Sequence, residues 1–425
     1  MSSITTEPAH PIIIVTGANN GVGFGICRRL LYNLAQNSPD DARPLFPLSV
    51  ATDVADVVYP CAGLTLIMAC RSRQRAEVAR TQLLEQFEKD VAQLQRSTPG
   101  GAERVAAFRK NLVVAIHLLD LASVQSTLAF ADEVARTYPY VSHLVCNAGV
   151  APFLRISWPR MFRQLWEDLC QPNLFEFVTY PRYNIQRTGI VSDDGLGWAW
   201  QCNVFGHYVI CRALEAKFAA SQTRSGFGPA RVVWMSSLET RAGVFDADDW
   251  QLVKSDRPYE GTKFQIDLVC AELARRAGTA APVRHIAVHP GVVYSLIDAA
   301  LIGSFSAKVK WVIFYLARWF GSIHHNISAW NGAAAAVHVC LAPLAFIPIF
   351  LAATGTPAAK RKEQQVGEQG LFPAQLHSVT DRMGHSSVAL SPLYALPKYE
   401  KEGEILVDRC ERLYQSFLTV GGKPQ

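Results

Sequence analysis

Ile12-Ile13-Ile14-Val15-Thr16-Gly17-Ala18-Asn19-Asn20-Gly21-Val22-Gly23-Phe24-Gly25 is the stretch that decides the fold. Four β-branched residues in succession read as a short strand buried on both faces. The glycines follow with no intervening linker, and Ile26, Leu30 and Leu31 then take up helical spacing. Glycine lets a backbone turn sharply and approach a ligand closely, and the free N–H groups at a helix start face an anion. Gly17, Gly21 and Gly23, with Asn19, Asn20 and Val22 between them, are therefore candidates to hold the phosphates of a dinucleotide. A bare structural turn is the alternative.

Downstream, the pattern of an apolar run followed by a helix repeats. Leu64–Cys70 reads as the second strand and ends in Arg71-Ser72-Arg73, before a charged amphipathic helix over Glu77–Leu94. An NAD site wants a carboxylate at that strand end, whereas arginine suits a ribose 2′-phosphate and favours NADP. Val113–Leu119 is the third strand, closing on Asp120-Leu121 ahead of a helix to about Arg136. Val141–Cys146 is the fourth and ends at Asn147-Ala148-Gly149, small residues that fit either a flat cofactor or a plain tight turn. Arg231–Met235, followed by Ser236-Ser237, is the fifth. Val283–Val288 is the sixth, closed by His289-Pro290-Gly291 with Val292, Val293 and Ser295 beyond. Strands in series with helical crossovers predict an α/β fold with a doubly wound parallel sheet.

Three segments exceed ordinary connections. Residues 37–59 read as a surface insertion. Residues 153–197 are rich in aromatics, from Trp158 to Tyr183, and form either an apolar substrate wall or an oligomer surface. Residues 242–258 lead into Tyr259-Glu260-Gly261-Thr262-Lys263. Tyrosine and lysine four apart share a helix face. A phenol is a poor acid or base at neutral pH, and an ammonium one turn away favours the phenolate. Trp200–Lys217 reads as a long helix with Asn203 near its start.

Composition sets bounds. The 425 residues suffice for one large domain with insertions or for two domains. The net charge of +5 is scattered rather than gathered into a basic stripe, which argues against a nucleic-acid partner. The ten cysteines contain no C-x-x-C pair and sit mostly in apolar segments, as expected of reduced, buried thiols in a cytosol-facing protein. Met1–Pro11 lacks the pattern of a secretory signal. No metal site is expected, because the adjacent His324 and His325 would not share a helix face.

Together, Thr16–Gly23, Asp120, Asn147-Ala148-Gly149, Asn203, Ser237, the Tyr259/Lys263 pair and Pro290-Gly291 resemble the short-chain dehydrogenases/reductases, in that family's order. The resemblance covers roughly residues 12–296. It implies a Rossmann-type fold in which Tyr259 donates or accepts the proton. Lys263 would bind the nicotinamide ribose and lower the tyrosine pKa, Ser237 would hold the carbonyl oxygen, and Asn203 would support a water leading to Lys263. Asp120 would sit by the adenine, and Asn147 with its small neighbours along the cofactor. Arg71, Ser72, Arg73, Pro290, Gly291, Val293 and Ser295 complete the implied site for NADPH or NADP+. Ser237 and Tyr259 stand further apart than in simpler members, so Ser236 stays a rival to Ser237.

A narrower resemblance is to the fungal 3-ketosteroid reductases of sterol C4-demethylation. It is carried by Ala69-Cys70-Arg71-Ser72, by Val233-Trp234-Met235-Ser236-Ser237, and by the long apolar C-terminal region. It implies NADPH-dependent reduction of a sterol C3 ketone to the 3β-hydroxyl in ergosterol-type biosynthesis. Implied partners are the other enzymes or scaffold of the demethylation complex. The implied location is the cytosolic face of the endoplasmic reticulum membrane or lipid droplets. Rival readings are reduction of a retinoid, a fatty ketone or a smaller steroid, and a non-catalytic NADP-binding scaffold.

Three regions follow. Residues 1–300 form the NADP-binding reductase domain, and 301–353 an apolar substrate- or membrane-associating region. Residues 354–425 are a linker and a helix packed on the main domain. Lys308–Phe320 mixes bases and aromatics, as suits a helix lying in a membrane interface. Ala333–Ala353 is apolar but holds His338, Pro343 and Pro348, which leaves membrane association, a membrane span and burial in protein all open. Arg361–Gln369 is a charged linker. Ile405, Val407, Cys410, Leu413, Tyr414 and Phe417 mark a last helix with an apolar face.

Overall fold

The computed structural model describes residues 10–45, 63–97, 100–169, 180–224, 228–278, 281–294, 304–348, 350–352 and 371–419. Ser295, residues 46–59 of the first insertion and the Arg361–Gln369 segment lie outside them. The elements that build the site begin with β1 (Ile12–Thr16), α1 (Gly21–Leu34), β2 (Leu64–Cys70), α2 (Arg73–Ser97) and α3 (Gly101–Lys110). They continue with β3 (Leu112–Leu118), α4 (Val124–Thr137), β4 (His143–Cys146), β5 (Phe153–Ile156), α5 (Trp158–Leu169) and β6 (Asn184–Gln186). Next come α6 (Gly206–Ala213), α7 (Glu215–Arg224), β7 (Ala230–Met235), α8 (Pro258–Ala277) and β8 (Val283–His289). The chain closes through α9 (Ser304–Trp319), α10 (Ala334–Leu341), β9 (Phe350–Ala352), β10 (Leu371–Thr380), β11 (Ser386–Pro392) and α11 (Glu400–Thr419).

The main sheet runs β11-β10-β8-β7-β4-β1-β2-β3, parallel from β3 to β10, with β11 antiparallel at one edge and β9 paired to β10. Strand side chains alternate between faces. In β1, Ile12 and Ile14 enter one core layer, and Ile13 and Val15 enter the other. The first layer takes residues of α4, α6, α8 and α11, and the second takes residues of α1, α2 and α10. The strand order reverses at β1/β4, the place where open parallel sheets bind ligands beyond their C-terminal edges.

Three strands beyond the six expected, β9, β10 and β11, extend the sheet. β10 pairs parallel with β8, Leu376 opposite Val288, so the C-terminal region contributes sheet as well as a helix. α10 is buried throughout, and Arg231 Nη1 donates to the Ala342 carbonyl at 2.6 Å, closing its C-terminal end. Of the three readings left open for this stretch, Ala333–Ala342 therefore takes burial in protein. No helix among the described residues is long and apolar enough to cross a membrane. The first insertion is not wholly a surface feature. Asp41 and Ala42 are buried, with Asp41 paired to Arg29 at 2.6 Å and its carbonyl bound to His338 at 2.8 Å. Every cysteine among the described residues is free and buried.

Candidate active site

The ends of the parallel strands open into one cleft of about 1740 Å3, more than the roughly 300–1,000 Å3 of a single small-molecule pocket. One end is the turn after β1. Gly17 and Gly21 have φ of +67° and +52° there, and a Cβ on Gly23 would stand 2.3 Å from the Gly17 carbonyl oxygen, so glycine alone fits. No side chain caps α1, and Asn20, Gly21 and Val22 line the cleft where its N–H groups begin. Thr16 ties the turn to β4: its Oγ1 accepts from the backbone N–H groups of Asn147 and Ala148, each at 2.9 Å. Asn147 Nδ2 donates to the Thr16 carbonyl at 2.9 Å. Anionic phosphates fit this end because uncapped helix N–H groups and close backbone approach meet there.

Along the same wall lie Asn19, Arg71, Ser72, Asp120, Ala148, Gly149, Pro290, Gly291 and Val293. Arg73 does not line the cleft. It opens α2, while Gln74 and Arg75 face the cavity beside Arg71. Two exposed guanidiniums, Arg71 just after β2 and Arg75 in the first turn of α2, thus face the cleft. Gly23 is buried beneath the turn and acts through packing rather than contact.

At the cleft's centre, Pro258 occupies the first turn of α8, and Tyr259 and Lys263 follow on one face. The Tyr259 N–H donates to Gln186 Oε1 at 3.0 Å, which anchors the helix start on β6 of the long insertion. The Ser237 hydroxyl, whose Oγ accepts from the Glu239 N–H at 3.1 Å, lies near enough to the Tyr259 phenol to hold its pKa down. Ser236 also borders the cleft, with its Oγ 3.1 Å from Thr240 Oγ1. Between the two rival serines, Ser237 is therefore the one beside the phenol.

The other end of the cleft is apolar. Phe153, Ile156, Trp158, Met161 and Leu165 come from β5 and α5, and Val309, Ile313, Phe314, Leu316 and Phe320 from the region of α9. The 153–197 insertion thus supplies a cavity wall, and Phe153 stands 5.9 Å, ring to ring, from Tyr259.

No family model matches the chain. It is similar to the 3-keto-steroid reductase of Eremothecium gossypii, 32% identical over 52% of this chain and 60% of that protein. The 3-keto-steroid reductase of Kluyveromyces lactis is 26% identical over 77% of this chain and 80% of its own length. The 3-keto-steroid reductase of Schizosaccharomyces pombe is 27% identical over 95% of this chain and 96% of its own. The chain is an oxidoreductase related to the fungal 3-keto-steroid reductases.

In this oxidoreductase Asn203 sits within one turn of π-helix, Gln201–Phe205, that breaks the expected long helix before α6 and α7. π turns gather at functional sites because they re-aim a side chain. Asn203 is buried behind the cleft: Oδ1 accepts from the Val150 N–H at 2.7 Å, and Nδ2 donates to the Val150 carbonyl and to Thr262 Oγ1, each at 2.9 Å. It joins the β4 loop to α8. Lys263 donates from Nζ to the Met235 carbonyl at 2.8 Å and lies 5.6 Å from the Tyr259 ring centre.

Burial dominates the electrostatics of the Tyr259–Lys263 pair. In the site without cofactor, burial pushes the Tyr259 phenol up, the charge of Glu239 adds to this, and the Ser237 hydroxyl opposes it. The Lys263 ammonium is pulled down to about 8 by burial, against the upward influence of Asp267 and Glu239. Glu239 in the cleft and Asp267 behind it are residues that sequence reasoning missed. An acid eight residues past the tyrosine, on the same helix face, was the available signal for Asp267.

Proposed function

We propose that this chain reduces the C3 ketone of a sterol lacking one or both C4 methyls to a 3β-hydroxyl, with NADPH as hydride donor. The observation that carries the reading is the convergence of Ser237, Tyr259 and Lys263 between a phosphate-fitting turn and an apolar wall. The cofactor supplies the hydride when bound. Ser237 and Tyr259 present hydroxyls to one carbonyl oxygen, Tyr259 gives it a proton, and Lys263 sets the charge beside the phenol. Arg71 and Arg75 support NADPH over NADH through charge-assisted contacts to a 2′-phosphate. The relatives' names supply the substrate class.

The substrate's insolubility favours work at a membrane surface, and the proposed location is the cytosolic face of the endoplasmic reticulum or lipid droplets, beside the other C4-demethylation enzymes. α5 and α9 support this. Each lines the cleft, while Phe162 and Trp166 of α5 and Trp311 and Trp319 of α9 are exposed. Steady-state kinetics with a 4-demethylated 3-keto sterol test the reading. NADPH should give at least tenfold the kcat/KM of NADH, consistent with a charge-assisted contact. Cyclohexanone turned over as well as the sterol ketone would refute it.

A further inference from the structure

Asp267 lies one helical turn beyond Lys263 on α8, and both are buried. Unlike Lys263, it does not line the large cleft. Its Oδ1 accepts from Gln375 Nε2 at 2.9 Å, a bond 108 residues apart in sequence that reaches from the catalytic helix to β10. Burial pushes its own carboxyl up to about 7, which the nearby Ser236 hydroxyl, the Lys263 ammonium and the Thr240 hydroxyl oppose, and its Oδ2 has no hydrogen-bond partner among the described residues. Thr240 Oγ1 donates to the Ser237 carbonyl at 2.8 Å, on the loop that carries the carbonyl-facing serine. One carboxyl therefore joins the catalytic helix to the C-terminal strand and stands near the loop that carries Ser237.

A buried lysine next to no opposite charge gives up its proton, and a buried carboxyl alone takes one up. We infer that Asp267, tethered by Gln375, is a positioning residue for the Tyr259–Lys263 pair: its carboxylate keeps the Lys263 ammonium charged inside the protein, and so beside the phenol. The inference rests on the reductase reading of the site. Around Asp267 are Lys263 and Cys270 on its own helix, Ser236 and Thr240 from the β7 loop, and Gln375 from β10, while Glu239 acts on Lys263 from the cleft side. His285 of β8, with Glu272 and Arg275, lines a small second cavity that Asp267 also borders. Of these groups, Asp267 and Glu239 raise the Lys263 pKa. Glu239 faces the cleft, so a bound ligand changes its surroundings, whereas Asp267 stays behind the helix.

The test reads the ammonium directly. Full-length protein is labelled with trace acetic anhydride across pH 6–11, and acetylation of Lys263 is followed by mass spectrometry. In Asp267→Asn, close in size to the native residue, the Lys263 midpoint should fall by about one pH unit or more. Gln375→Leu breaks only the tether and should give a smaller fall in the same direction. An unchanged midpoint in either folded variant overturns the inference. The alkaline limb of NADPH-linked ketone reduction should move down with the midpoint, which simple loss of packing would not produce. Should wild-type protein reduce no ketone while the labelling midpoint still falls in Asp267→Asn, the reductase reading fails and the role of Asp267 stands.

Discussion

A phenol held above its ordinary pKa by burial and by the nearby Glu239 charge is a poised acid, protonated when a ketone arrives. Tyr259→Phe removes the proton and keeps the ring, so turnover should fall by about 10²–10⁴-fold while NADPH affinity changes by no more than about twofold. Tryptophan-to-NADPH energy transfer gives the affinity and NADPH oxidation the rate; a Phe variant that keeps a tenth of the rate means another acid. The pH profile follows from Lys263. Its ammonium is present below its folded pKa of about 8 and lost above it, so activity should decline as pH rises through that region. A rate that holds flat to pH 10 would show that the ammonium is not needed. Tyr259 and Lys263 were legible because their relation lies within one turn of one helix. The serine pair was legible only as a pair. Consecutive residues at a strand's end point opposite ways, and only the packing sets Ser236 against Thr240 and Ser237 near Tyr259, at the edge of a cleft both border. Glu239 and Asp267 were not legible in function, because their meaning comes from contacts that sequence spacing does not encode.

At the scale of elements, the apolar runs located the central strands, and β2 has the bounds its sequence predicts. β10 escaped notice because Gln375, His377, Ser378 and Thr380 are polar yet buried, which erases the period. α10 was ambiguous for the opposite reason: a helix surrounded by protein and a helix in lipid select the same composition. The turn after β1 can be tested by Gly23→Ala. The added methyl meets the Gly17 carbonyl and Asn147 Nδ2 at 2.3 and 2.5 Å, so it must push β1 from β4. The expected cost is about 1–3 kcal/mol in chemical denaturation, with weakened NADPH binding. Unchanged stability and affinity would mean that the turn relaxes freely. The exposed faces of α5 and α9 make a second element-scale prediction. Full-length protein should cosediment with anionic vesicles, and Trp311→Ser with Trp319→Ser should lower that binding by about tenfold or more. A full-length chain that leaves such vesicles unbound would remove the membrane proposal.

For the whole molecule, the division at about residue 300 and the continuous sheet make different demands. Were residues 1–300 a self-contained unit, a chain ending at residue 370 would keep its core. The architecture argues otherwise. Without β10, β8 becomes an unpaired edge and Asp267 loses the Gln375 bond. Without α11, the outer side of the catalytic helix is stripped, together with the bond from the Tyr208 hydroxyl to Glu411 at 2.6 Å. Leu376, Leu406, Val407 and Phe417 alone are each at most 2% exposed. Their burial contributes roughly 6–12 kcal/mol at ~1.5–3 kcal/mol each, comparable with the whole net stability of about 5–15 kcal/mol of an ordinary domain. A chain truncated after residue 370 should therefore accumulate as insoluble protein, or unfold without a cooperative transition in calorimetry. A soluble truncated protein that unfolds cooperatively near the full-length midpoint would show that β10, β11 and α11 decorate a reductase core that stands without them.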